Sequence, residues 1–300
     1  MEIFGVPHQA LLGQVFIGLV NGSFYAILSL GLSIIFGLLN VVNFAHGALY
    51  MLGALVTWMG LNYLGLNYWL SLLVAPLLVG SFGMLCERTM IRHLRKLDPI
   101  YGLLLTFGMA QVVQSLASNS YGVTGLSYSP PSLLQGATDV GFMRLPNYRA
   151  WVVVASMAVC LSTWYAIERT RLGAYLRAGT ENPGMVQAFG INLPLIVTLT
   201  YGFGAGLAAF AGVLAAPVMQ VSPLMGADIV VVVFAVVVVG GMGSILGSIV
   251  TGLMLGVVEG LTRVYYPPAS NVVIFAIMAV VLMFRPSGLF APHEGQKKTP

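Results

Sequence analysis

Long apolar runs alternate with short polar links along this chain. The runs extend approximately from Ala10 to Leu39, Phe44 to Leu61, Tyr68 to Cys86, Ile100 to Ser118, Ala150 to Ile167, Leu193 to Val218, Ile229 to Leu261 and Asn271 to Phe284. A helix needs about 20 apolar residues to cross a bilayer, and it satisfies its own backbone hydrogen bonds in lipid. No segment shows the in–out alternation of a barrel strand. The pattern predicts an all-α polytopic membrane protein of about eight or nine transmembrane helices. The run from Ile229 is too long for one ordinary span and is broken at Gly240-Gly241-Met242-Gly243-Ser244. It reads as two short spans, or as one span with a re-entrant turn and a further crossing.

Composition agrees with lipid as the solvent. Hydrophobic residues make up 58% of the 300 residues and charged residues 7%, against about 25% charged in soluble domains. Mean hydropathy is +0.91. No Asp, Glu, Lys or Arg occurs in 3–86, 99–138, 182–227 or 229–258. A charge at the bilayer centre costs about 2.5–3.5 kcal/mol on insertion scales, so the remaining charges mark the links. The net charge of +4 comes from basic residues beside apolar runs, which fits membrane orientation better than nucleic-acid binding. Cys86 and Cys160 lie in apolar stretches and read as packing residues. The N-terminus lacks the basic start of a cleavable signal peptide.

The positive-inside rule assigns the sides. Arg88, Arg92, Arg95 and Lys96 form one cluster, Arg169, Arg171 and Arg177 a second, and Lys297 and Lys298 end the chain. All three are expected in the cytoplasm, which leaves 119–149, with its turn-forming prolines, outside despite Arg144 and Arg149. Reading the run from Ile229 as two spans returns the C-terminal lysines to the cytoplasm. If the first three runs each cross once, the N-terminus is outside.

Several polar patterns are candidates for function. In 39–50, a helix would place Asn40, Asn43, His46 or Gly47, and Tyr50 on one stripe. Such a stripe either lines a substrate path or bonds neighbouring helices together. Gln111, Gln114 and Ser118 share a face and present the same choice. Ser244, Ser248, Gly252, Gly256 and Gly260 recur every fourth residue, as do Gly18, Gly22 and Ala26, and Gly202 and Gly206. Small faces of this kind let helices approach closely, and they could also let packed helices slide. Glycines interrupt apolar segments around 44–53 and 240–252, a pattern that broken transporter helices share. Asp228 opens an apolar run as a helix cap would. Glu259 and Arg263 are spaced for an ion pair.

The segment 168–191 is the longest charged region. Thr180 or Asn182 can cap a short helix that begins at Pro183 and ends at Gly190. Met185, Val186, Ala188 and Phe189 give that helix an apolar face, suited to a cytosolic protein partner or to the lipid surface. The sequence contains no phosphate-binding G-x-x-x-x-G-K-[ST] loop. It also shows no clustered metal ligands and no catalytic constellation. The expectation is a transport subunit with no metal, no cofactor and no enzymatic activity of its own.

At these residues the chain resembles the LivH-type permeases of branched-chain amino acid ABC importers. The stretches are GLSIIFGLLNVVNFAHGALYMLGA (31–54), ERTMIRHLRKLDPIYGLLLTFG (87–108), RTRLGAYLRAGTENPGMVQAFGI (169–191), VVVGGMGSILGSIVTGLMLGVVEG (237–260) and FRPSGLF (284–290). Asn182-Pro183-Gly184 departs from the alanine-rich run usual in related permeases. The resemblance implies a single transmembrane permease domain over 1–290, with a cytoplasmic tail over 291–300, in a bacterial inner membrane. Its partners would be a LivM-like second permease, two cytosolic ATP-binding subunits and a periplasmic substrate-binding protein. Thr180, Glu181, Val186, Ala188, Phe189 and Gly190 would couple the bundle to the ATPase. Asn40, Asn43, His46, Tyr50, Gln111 and Gln114 are the candidates for the substrate path, and Ser248, Gly252, Gly256 and Gly260 for helix packing. Branched-chain or related amino acids are the expected substrates. The alternatives are urea, amides or aromatic acids within the same family, or a secondary transporter driven by an ion gradient.

The assignment of sides is testable by labelling. A cysteine at Asp139 should react with a membrane-impermeant maleimide from outside intact cells, and one at Arg177 only after permeabilisation. Labelling of both from the same side would contradict the topology.

Overall fold

The computed structural model describes residues 2–3, 6–39, 42–94, 97–139, 141 and 143–290. Asn40, Arg95, Lys96, Lys297, Lys298 and the 291–300 tail lie outside the described residues. The chain is helical almost throughout. In order, the helices are α1 His8–Leu39, α2 Ala45–Leu64, α3 Tyr68–Cys86, α4 Pro99–Tyr121, α5 Asn147–Glu168, α6 Arg171–Glu181, α7 Pro183–Ala188, α8 Leu193–Ala215, α9 Met225–Gly240, α10 Ile245–Tyr265 and α11 Val273–Phe284. Among the described residues, seven helices are long and apolar enough to cross a membrane, and α9 and α11 are shorter apolar helices. A π-helical turn, Glu87–Ile91, extends α3. A small hairpin pairs Ala137–Asp139 with Arg144–Pro146 in the link before α5.

The surface is inverted relative to a water-soluble protein. Leu77 is 70% exposed, Leu73 65% and Leu116 63%, and many other large apolar side chains are exposed with them. In water such a surface would aggregate, but in hydrocarbon it is simply solvated. Burial inside the bundle therefore depends on small and polar residues as much as on large ones. Ser23, Ser29, Ser33, Thr57 and Ser248 are all buried completely.

The packing core is a set of close backbone contacts. α1 and α10 run antiparallel. A Cβ at Gly252 would collide with the Ala26 backbone, one at Gly256 with Gly22 and Gly18, and one at Gly260 with Gln14 and Gly18. At the inner end of this seam, Ser29 Oγ donates to Ser248 O at 3.1 Å, and the Ser33 and Ser248 hydroxyls bond each other. α8 is the second hub. Its Gly204 meets Gly31 and Ile35 of α1, its Gly212 meets Tyr50 of α2, and its Gly202 meets Gly80 of α3.

The break in the run from Ile229 falls at Gly240-Gly241-Met242-Gly243-Ser244. Gly241 (φ 98°) and Gly243 (φ 84°) take left-handed conformations that a Cβ would strain. Ser244 then caps α10 by accepting from Gly247 N at 3.1 Å. The segment after α11 covers this turn, with Leu289 N and Phe290 N donating to Val239 O and Gly240 O. The glycines around 44–53 do not interrupt a helix, because α2 runs unbroken from Ala45. They serve close approach instead, with Gly47 against Gly226 and Gly53 against Ala209.

Gly256→Leu should open the α1–α10 seam, because no rotamer avoids the Gly22 backbone. Overpacking typically costs about 1–3 kcal/mol, so the detergent-solubilised protein should show a lower unfolding midpoint. An unchanged midpoint would contradict the backbone contact.

Candidate functional site

The region from residue 42 to the first turn of α2 is built from its polar atoms. Non-helical backbone at membrane depth must find partners within the protein. Thr106 of α4 supplies them: its hydroxyl accepts from Phe44 N at 3.2 Å and shares its proton between Val42 O at 3.3 Å and Leu103 O of its own helix at 3.0 Å. Asn43 turns the chain into α2, its side-chain oxygen accepting from Ala45 N at 3.1 Å. Its amide donates to Tyr201 Oη of α8 at 2.9 Å. His46 Nε2 lies 3.0 Å from Leu28 O of α1. α2 therefore begins inside the bundle, alongside the middle turns of α1 rather than at its rim. α9 also begins there, where Gly226 meets Gly47. The link 216–224 leads into α9, and its Val221 exchanges two backbone hydrogen bonds with Leu126 of the link after α4, at 2.8 and 3.0 Å.

The sequence-predicted polar stripe does not stay together. Asn43 precedes the helix. Asn43 and His46 are both 1% exposed and bonded to neighbouring helices. Tyr50 faces a cavity of about 680 Å³ that also reaches Asn21, Tyr25, Gln220, Asp228 and Arg263. Gln111 and Gln114 line a separate cavity of about 160 Å³ with Phe44, Met51 and Gly226. Ser248, Gly252, Gly256 and Gly260 all lie in the α1–α10 seam.

The larger cavity is at the end of the bundle remote from the basic segment 168–191. α8 starts beside that segment and ends at Ala215, and the cavity is walled by Met219, Gln220 and Ser222 just beyond. Glu259 and Arg263 of α10 form the expected i,i+4 ion pair at 2.7 Å. Tyr25 of α1 donates to the other Glu259 oxygen at 2.7 Å. Sequence reasoning treated Asp228 and the Glu259–Arg263 pair as isolated features and did not single out Tyr25, Thr106 or Tyr201. The signal available for these three was a hydroxyl in an otherwise apolar or small-residue helix.

At the other end, Asn182 caps α7 through Met185 N at 3.0 Å, with Pro183 in the first turn. Gly190 (φ 80°) follows the end of α7. Thr180 and Glu181 belong to α6, and Thr180 Oγ1 donates to Arg177 O at 2.7 Å. Val186 is buried, whereas Phe189 is 77% exposed and Met185 60%; Ala188 is exposed beside them. Gly179 of α6 lies against Leu193, the first residue of α8.

Comparison with known proteins decides the class. Residues 14–282 match the family of permease components of branched-chain amino acid transport systems. The chain belongs to this family. The high-affinity branched-chain amino acid transport system permease protein LivH of Escherichia coli is 32% identical, over 95% of this chain and 97% of that one. BraD of Pseudomonas aeruginosa, a permease protein of the same description, is 31% identical over the same shares. LivM of Escherichia coli is 28% identical over 91% of this chain and 69% of its own length. Among solved structures, PsaBC from Streptococcus pneumoniae in complex with Fab aligns over 95% of this chain and 91% of that one, at 14% identity and a TM-score of 0.42. As a member of the family, this chain is a multi-pass membrane permease.

Asn43→Ala removes two buried hydrogen bonds and leaves Tyr201 Oη and Ala45 N without them. Unsatisfied buried groups cost about 1–3 kcal/mol each. The variant should unfold at a lower temperature than wild type, and Tyr201→Phe should recover part of the loss in the double variant. Strictly additive losses would contradict the contact.

Proposed function

We propose that this chain is the LivH-type permease subunit of an ATP-binding-cassette importer for branched-chain amino acids, residing in a bacterial inner membrane. The observation that carries the reading is the match to the permease family from residue 14 to 282, nearly end to end. The substrate follows the relatives named LivH and BraD. Residues 1–290 act as one permease unit with 291–300 as a cytoplasmic tail, and the chain itself catalyses no reaction. A LivM-like second permease stands beside it. Two cytosolic ATP-binding subunits supply the energy, and a periplasmic binding protein delivers the amino acid.

The geometry supports a mechanical route through this chain. The exposed apolar residues Met185, Ala188 and Phe189 offer a grip for an ATP-binding subunit. Val186 anchors the same helix in the protein. Force applied to α6 and α7 passes through the Gly179–Leu193 contact into α8. α8 packs directly on α1, α2 and α3, and its far end leads into the cavity wall at 219–222. A rigid shift of α8 would therefore change the cavity without any chemistry in the permease. This is transport by switching between two packed arrangements.

The test is uptake by proteoliposomes holding the complete transporter. Leucine-loaded binding protein outside and ATP inside should drive leucine accumulation; none would contradict the reading. Ala188→Pro should leave assembly intact but abolish coupling, since proline costs about 3 kcal/mol or more inside a helix. ATP hydrolysis should then no longer respond to loaded binding protein. Normal uptake by this variant would contradict the docking role of α7.

A further inference from the structure

The 680 Å³ cavity combines fixed charge and apolar wall in a way the transport scheme above does not use. Three of its lining side chains are charged: Asp228, Glu259 and Arg263. Glu259 is buried and has both oxygens engaged, one by Tyr25 Oη and one by Arg263 Nη2, each at 2.7 Å. Arg263 is 40% exposed and has more N–H donors than this single contact uses. Asp228 differs from Glu259. Among the described residues its carboxylate accepts no hydrogen bond and joins no ion pair. It lies in the first turn of α9, two residues after the buried Gly226 that meets α2. An N-terminal turn tolerates a carboxylate, but that does not explain its place on the wall of a cavity that also holds an arginine. Asp228 is exposed at the cavity, where water solvates it, and its charge is opposite to that of Arg263 on the same wall. Phe24, Met225, Ile229 and Val232 form an apolar side of the wall, and Asn21, Tyr50, Gln220 and Ser222 add neutral polar groups.

We propose that this cavity receives the two charged ends of an amino acid on its way into the membrane, with Asp228 accepting from the α-ammonium and the free donors of Arg263 binding the α-carboxylate. Glu259 and Tyr25 are positioning residues, which hold the guanidinium against the wall. The apolar side of the cavity takes the aliphatic side chain. The site reads the part common to all amino acids, which leaves finer selection to the binding protein. This assignment rests on the importer reading.

The experiment uses the whole transporter in proteoliposomes, with leucine as the probe. Asp228→Asn should lower leucine uptake about ten- to a hundred-fold, the worth of one charge-assisted hydrogen bond. ATP hydrolysis stimulated by loaded binding protein should persist. Asp228→Glu should recover most of the uptake. Asp228→Cys should be revived by 2-sulfonatoethyl methanethiosulfonate, which restores a negative charge, and not by the trimethylammonium analogue. Cys86 and Cys160 are buried, and the unsubstituted transporter treated with each reagent controls for them. Wild-type uptake by Asp228→Asn, or equal effects of the two reagents on Asp228→Cys, would overturn the assignment alone. A wild-type transporter that takes up no leucine would overturn the importer reading and this assignment with it.

Discussion

Along the seam between α1 and α10 two backbones come into direct contact at glycines and an alanine, with serines at one end. The rest of the structure depends on this constraint. Lipid is as apolar as a leucine side chain, so helices gain nothing by hiding leucines from it. Association must come from close packing, from interhelical hydrogen bonds and from weak Cα–H···O contacts between backbones. Gly18, Gly22 and Ala26 on one side, and Gly252, Gly256 and Gly260 on the other, permit that approach. The serines at 29, 33 and 248 add polar bonds where the seam ends. The same device recurs around α8, which can touch α1, α2 and α3 because Gly202, Gly204 and Gly212 face them.

This arrangement separates the rigid from the movable. A frame held by backbone contact resists deformation within each pair. Helix pairs joined by glycine faces can nevertheless shift as units, since few long side chains interlock across them. α8 links the two ends of such a frame. Its first residue lies against the basic segment 168–191, and the link after it lines the charged cavity. The two helices that begin within the bundle, α2 and α9, meet at Gly47 and Gly226 between these ends. Their preceding links are held by side chains and by a short backbone pairing rather than by a helical ladder. Local rearrangement is least costly where backbone hydrogen bonds are few.

Much of the fold was legible in the letters because lipid imposes simple rules. Long apolar runs had to be helices, and the double-glycine run at 240 had to break one. The spacing of Ser248, Gly252, Gly256 and Gly260 showed a small face but not which helix it met, since no local pattern encodes a partner more than 200 residues away. The polar residues at 43–50 left two readings open, a substrate path or bonds to neighbouring helices, for the same reason. Helical periodicity assumes a helix, and the chain enters α2 only at Ala45, so Asn43 became a turn residue bonded to Tyr201 instead of a member of a lining face. The charged cavity was visible only as fragments. Asp228, Glu259 and Arg263 stand out individually in an apolar sequence, but their shared wall is created by the approach of α1, α9 and α10.

The α1–α10 seam can be measured directly. With Cys86 and Cys160 replaced by alanine, Ser33→Cys and Ser248→Cys together should form a disulfide in native membranes treated with copper phenanthroline. Ser33→Cys paired with a cysteine at the lipid-facing Leu77 should not. A Ser33–Ser248 pair that stays reduced while both thiols remain reactive to a permeant maleimide would show that the two backbones do not meet, and the architecture argued from that contact would fail.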